Sequence, residues 1–215
     1  LINETIFNDS IFSESNQEAA IFIGRQAQLT RLDSLLRNVA ADHGSRPGKA
    51  LLIRGRRRVG KSRLVEEFLE QTCVPCLFFA ASGRPVRDEL RFFADEAAAS
   101  SLPGAQLFAG VELTSWDAAL RLLASAIGTE RAVVVFDELP YLIEADPHIE
   151  GTLQRAFDRE LARKPVLLIG IGSDLSMMES LNEYGRPFHQ RATEMVVPSL
   201  TPAEVGSMLD LEAAD

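Results

Sequence analysis

From about residue 21 onward the apolar positions fall into two rhythms. Five short unbroken apolar runs, 50–54, 74–80, 132–136, 165–171 and 194–198, alternate with stretches whose apolar residues recur at every third or fourth place. Runs rich in Val, Ile, Leu and Phe without polar alternation predict strands buried on both faces, the pattern of a parallel sheet flanked by helices. The helical stretches are 25–41, 61–71, 86–100, 115–127, 149–163 and 174–182. In the first, Leu29, Leu32, Leu35, Leu36 and Val39 make one apolar stripe. The segments 43–48 and 102–114, each with Pro and Gly, read as loops. Thr201-Pro202-Ala203-Glu204 spells a capping box that opens another helix. Residues 1–20 break the rhythm: they are polar and irregular, with only a weak hairpin signal around Asn8-Asp9-Ser10. The expected organisation is a flexible leader over 1–20, a core domain over 21–200, and over 201–215 the start of a helix leading to a lid or further domain.

Composition narrows the class. The chain has 215 residues, 46% of them apolar, enough for one large domain with its own core. Its net charge is −9, from 31 acidic and 22 basic residues. That argues against an extended nucleic-acid footprint, which needs basic contacts to phosphate. No apolar run approaches the roughly 20 residues that span a bilayer, and Leu1-Ile2-Asn3-Glu4 lacks a signal-peptide start. A cytoplasmic location without membrane contact is expected. Cys73 and Cys76 have CxxC spacing but enter a strand-like run, and no second pair completes a zinc site, so they read as ordinary residues. His43, His148 and His189 are scattered; Phe92, Phe93, Trp116, Met177 and Met178 sit on helical patterns as packing residues.

Chemistry concentrates at two places. Gly55-Arg56-Arg57-Arg58-Val59-Gly60-Lys61-Ser62 is a complete GxxxxGKS phosphate loop between an apolar run and a helix. Glycines at 55 and 60 let the backbone curl so that its N–H groups face phosphate, and the helix start adds its positive dipole end. Gly55, Arg58, Val59, Gly60, Lys61, Ser62 and Arg63 are the expected nucleotide-binding stretch, with Lys61 on the β/γ-phosphates and Ser62 on Mg²⁺. The side chains of Arg56, Arg57 and Arg58 are expected to face away, since such a loop works through its backbone. The second place is the run Ala132 to Phe136, which delivers Asp137 and Glu138 at its carboxyl end, where ligands sit in open α/β sheets. Asp137 is the expected second Mg²⁺ residue and Glu138 the base that polarises water. The fourth run ends at Gly172-Ser173-Asp174; Ser173 reads either as a polar group near the γ-phosphate or as a helix N-cap.

Four segments together resemble the archaeal-type ATPases of the AAA+/STAND branch of P-loop NTPases. Phe22-Ile23-Gly24-Arg25 is similar to that family's opening F-x-G-R box, and Arg57 to Ser62 resembles its arginine-containing phosphate loop. Phe136-Asp137-Glu138-Leu139-Pro140-Tyr141-Leu142 resembles its D-E-F-x-Y-L segment, and Gly172-Ser173, Met177-Met178-Glu179 and Pro187 to Thr193 resemble its closing motifs. The resemblance implies a three-layer αβα sandwich around a five-stranded, mainly parallel sheet of order 5-1-4-3-2. It also implies ATP or ADP with Mg²⁺ as ligands, and residues Phe22, Ile23, Gly24 and Arg25 beside the adenine. It offers Arg191 as the leading γ-phosphate arginine, in cis or from a neighbouring subunit, with Arg186 second. His189 and Gln190 replace the family's tyrosine and glycine. Expected partners are the nucleotide and a second copy or partner protein, with nucleic acid only through regions outside this chain.

Two functions compete. One is an ATPase whose turnover drives a conformational change. The other is a nucleotide-gated interaction module with little hydrolysis. A small-molecule kinase fits less well because no acceptor pocket is evident, and no NKxD segment for reading guanine is found.

Overall fold

The computed structural model describes residues 24–41, 46–186 and 188–206. Five strands are present: β1 (Lys49–Arg54), β2 (Cys76–Ala80), β3 (Ala132–Asp137), β4 (Val166–Gly172) and β5 (Ala192–Val196). Their spatial order is 2-3-4-1-5, the order expected from the family resemblance read from the other edge. Every pairing is parallel.

Among the described residues they are accompanied by helices α1 (Gln26–Ala41), α2 (Lys61–Thr72), α3 (Val86–Ala99), α4 (Trp116–Ala126), α5 (Leu139–Ala145), α6 (Ile149–Arg159) and α7 (Leu175–Ser180), with a last helical stretch at 202–206. The central strands are apolar on both faces because each face is covered. Leu51, Ile53, Val133, Val135, Leu167 and Ile169 pack with Leu32 and Leu36 of α1 and Leu64 and Phe68 of α2. Their alternate neighbours, Leu52, Val134, Phe136 and Leu168, pack with α3 to α7. The result is a three-layer αβα sandwich. On the second face Phe79, Phe93, Phe108, Trp116 and Phe136 form one aromatic cluster, with Phe79 and Phe93 edge to face at 5.3 Å.

The differences from the sequence reading are local. The predicted strand 74–80 begins only at Cys76, where Ser101 caps the free edge by accepting from the Cys76 N–H at 2.8 Å. The segment 102–114 holds a 3-10 turn, Ala105–Phe108, that buries Phe108. The helix expected over 149–163 breaks after Arg159 into a 3-10 turn, Leu161–Arg163. Helix α5 was not foreseen, although Pro140 near its start is a recognisable opening signal. Phe92 is only half-buried, under the guanidinium groups of Arg84 and Arg91 at 4.8 and 5.2 Å from its ring centre. The capping box forms: Glu204 accepts from the Thr201 N–H at 2.7 Å and its hydroxyl at 2.8 Å. The hairpin and leader expected within 1–20 lie outside the described residues. Among the described residues no helix is long and apolar enough to cross a membrane.

Candidate active site

In a parallel sheet all carboxyl ends lie along one edge, so the residues after β1, β3 and β4 meet there. Gly55 to Ser62 leave β1 and turn into α2. The two glycines are required for different reasons. A Cβ on Gly55 would stand 2.4 Å from the Val197 carbonyl oxygen, so no side chain fits. Gly60 has φ of 83°, in the left-handed region. Helix α2 starts behind it with no side chain capping its first N–H groups. Curled backbone and open helix end together make an anion-binding concavity.

Lys61 is 6% exposed, and its ammonium donates to the carbonyl oxygens of Gly55 and Arg56 at 3.0 and 3.1 Å. Burial lowers its pKa; the charges of Glu138 and Asp137 oppose that, and the nearby Arg57 adds to it. Asp137, 7% exposed, ends β3. Burial raises its pKa, and hydrogen bonds from the Ser62 hydroxyl and the Glu138 N–H, the latter at 2.9 Å, hold the rise back. Ser62 and Asp137, paired on sequence grounds as Mg²⁺ residues, stand near enough for the hydroxyl to bear on the carboxylate. A carboxylate and a hydroxyl side by side suit a hard cation that takes its remaining ligands from nucleotide phosphates and water.

Glu138 sits at φ 50° and opens α5. Its carboxylate accepts from the Ser173 hydroxyl at 3.1 Å. The alternative role for Ser173, helix N-cap, falls instead to Asp174, which accepts from the Met177 N–H at 2.9 Å. Ser173 is thus free to face the site.

Arg25 is 4% exposed and donates to the Val59 carbonyl oxygen at 3.0 Å. Its own N–H reaches Glu204 at 3.3 Å. Gly24 and Arg25 therefore brace the back of the phosphate loop; Phe22 and Ile23 lie outside the described residues. Five non-glycine residues with positive φ are described, and three of them, Arg25, Arg58 and Glu138, are at this site. Such backbone strain collects where function over-determines the chain.

The remaining arginines divide. Arg56 and Arg58 are exposed, as expected. Arg63 turns its side chain along α2 to Glu67 and Glu70, each at 3.0 Å, so only its backbone faces the loop. Arg57 is exposed too, but its side chain is not free: it donates to the Tyr141 hydroxyl on α5. The sequence names both residues without joining them, because nothing in spacing pairs them.

Arg191 is not brought to the site. It precedes the Ala50–Ala192 pairing, at the amino end of β5, whereas the phosphate loop begins after Arg54 at the other end of β1. The intervening strand is ~20 Å long at ~3.3 Å per residue. There Arg191 donates to both carboxylate oxygens of Asp158 at 3.0 Å. The in-cis half of the Arg191 expectation is thereby corrected: strand length puts the chain's own phosphates out of reach. Arg186 is likewise engaged, with Glu150 at 2.7 Å.

No protein-family model and no curated protein matches the sequence. Solved structures do. A Walker-type ATPase of Pyrococcus abyssi superposes with a TM-score of 0.59 at 22% identity, over 88% of this chain and 57% of that one. The Aeropyrum pernix ORC1 protein in complex with DNA gives 0.58 at 22% identity, over 91% and 50%. The ORC2 protein of the same organism, in ADPNP and ADP complexes, gives 0.63 at 13%, over 88% and 51%. The chain thus spans about half the length of these neighbours. At such identities the likeness is one of fold alone: this chain shares its αβα sandwich with these ATPase and ORC structures.

Proposed function

We propose that the protein binds ATP with Mg²⁺ and hydrolyses it, and that the cycle of binding and release changes its shape. One observation carries this reading: Lys61, Ser62, Asp137, Glu138 and Ser173, from three separate strand ends, converge on one concavity. Lys61 would leave the loop carbonyls for the phosphates, and the freed N–H groups of the loop would surround them. Mg²⁺, held by Ser62 and Asp137, would neutralise phosphate charge. Glu138 would orient and deprotonate the attacking water. A cytoplasmic location belongs to the same reading.

Arg191 enters this reading from outside. Its position at the far edge of the sheet suits the site of a neighbouring copy, so assembly of copies is part of the proposal. Two neighbouring folds are described as bound to DNA; the net charge of −9 gives this chain itself no comparable footprint.

The direct test compares nucleotide binding and turnover in two variants. Lys61→Ala is expected to lose nucleotide binding. Glu138→Gln is expected to keep ATP while turnover falls about 10²–10⁴-fold, the usual contribution of a positioned base. Wild-type turnover by Glu138→Gln would remove the catalytic assignment.

A second reading, a nucleotide-gated module with slow hydrolysis, is favoured by one contact. Glu138 is held by Ser173 rather than left free for water. Single-turnover rates with and without a second copy at high concentration separate the two.

A further inference from the structure

The three consecutive arginines of the phosphate loop are chemically alike but differently placed. All three are exposed, and Arg56 and Arg58 make no side-chain hydrogen bond among the described residues. Arg57 instead donates to the Tyr141 hydroxyl on α5. Tyr141 is fixed there from two sides. Its N–H bonds the Glu138 carbonyl at 2.9 Å in the first turn of α5. Its ring faces Gly83, where a Cβ added to the glycine would meet it at 3.7 Å. The guanidinium is therefore held on α5, one turn from Glu138, and close enough to Lys61 for its charge to be felt there.

The parking contact is a weak one for such a group. A single hydrogen bond to a neutral phenol leaves the guanidinium without an opposite charge and most of its donors unused. A guanidinium has five donors in a planar fork, and its bonds to phosphate oxygens are roughly twice as strong as neutral ones. A terminal phosphate entering the concavity would out-compete the tyrosine. Strand geometry leaves a place for such a cation, because Arg191 of the same chain stands ~20 Å away along β1.

We propose that Arg57 is a γ-phosphate-binding residue supplied in cis, and that Tyr141 is its positioning residue, holding it on α5 until ATP arrives. The inference rests on the ATP-binding reading above and deepens it. ADP has no γ-phosphate, so it leaves Arg57 on Tyr141. The ring facing Gly83 then passes the difference between ATP and ADP to the β2–α3 loop, where Glu89 ties the Ser82 and Arg84 N–H groups at 3.0 and 2.9 Å.

The test is the ratio of affinities for a non-hydrolysable ATP analogue and ADP, measured with Mg²⁺ by calorimetry. It is run on the wild type, Arg57→Ala, Arg57→Gln and Tyr141→Phe, each checked for folding by thermal melting. Arg57→Ala is expected to lower the ATP-to-ADP preference by about tenfold or more, with ADP affinity held within about threefold, since one charge-assisted phosphate contact is lost. Tyr141→Phe, which removes the contact that ATP must displace and ADP leaves in place, is expected to raise the preference severalfold. If Arg57→Ala fails to fold, Arg57→Gln keeps the length and polarity and is read the same way. An unchanged ratio, or an equal loss for both nucleotides, overturns the role given to Arg57 while the ATPase reading stands. A wild type that binds neither nucleotide overturns both.

Discussion

The two ends of the sheet use arginine and carboxylate in opposite ways. At the carboxyl edge Asp137 and Glu138 face a lysine and an arginine across open space, and none of the four is locked to an opposite charge. At the amino edge Arg191 already has its carboxylate, with Asp158 also approached by Arg46 at 3.8 Å. The first edge is a site waiting for a charged ligand. The second is a satisfied surface cluster, which can act on phosphate only by presenting Arg191 to another molecule. A motif that lists both edges as parts of one site says nothing of the strand length between them.

Mixing breaks or sharpens this contrast most strongly. Arg191→Ala should lower turnover on the order of a thousandfold, the scale of an arginine supplied by a second chain in other P-loop enzymes. Equal amounts of Lys61→Ala and Arg191→Ala should recover part of it, since one keeps the site and the other the arginine. A mixture no more active than its components, measured at high protein concentration, would leave the amino edge without a catalytic part.

A smaller effect is expected where the loop meets β5. Gly55→Ala places a methyl against the Val197 carbonyl oxygen. Such overpacking costs about 1–3 kcal/mol, readable as a lower urea midpoint, and should weaken nucleotide binding as the loop shifts. A variant as stable as wild type would show that β5 yields easily there.

The smallest effect concerns the brace behind the loop. Hydrogen bonds from the Thr201 N–H and hydroxyl, then from the Arg25 N–H, hold the Glu204 carboxyl below the ordinary glutamate range. A lowered folded-state pKa contributes stability above the unfolded value and loses it as pH falls through the folded one. Glu204→Gln should therefore melt slightly lower than wild type at neutral pH, and the gap should close as pH falls below the ordinary glutamate range. A gap independent of pH would assign the effect to packing.

Much of the carboxyl edge was legible in the residues. Gly60 was legible because a left-handed turn favours one residue type at one place, and its φ is 83°. Asp137 and Glu138 were found because an unbroken apolar run can only end at a sheet edge. Helix α5 was missed because seven residues give too short a period to stand out, although Pro140 marked its start. Arg57 was set aside as outward-facing, since its partner Tyr141 is 84 positions away and neither spacing nor composition links them.

What the sequence by itself determined is short-range: where strands and helices lie, which loop curls back at a helix start, and which carboxylates end a buried strand. These depend on neighbours a few positions apart and on the 2- and 3.6-residue periods of burial. What only the tertiary structure decided is which like residues share a space. Parallel packing set Glu138 beside Ser173 and Arg57 against Tyr141, and strand length carried Arg191 to the far edge. Charge acts over ångströms of space and not along the chain, so three adjacent arginines and two distant ones could be told apart only once the sheet was formed.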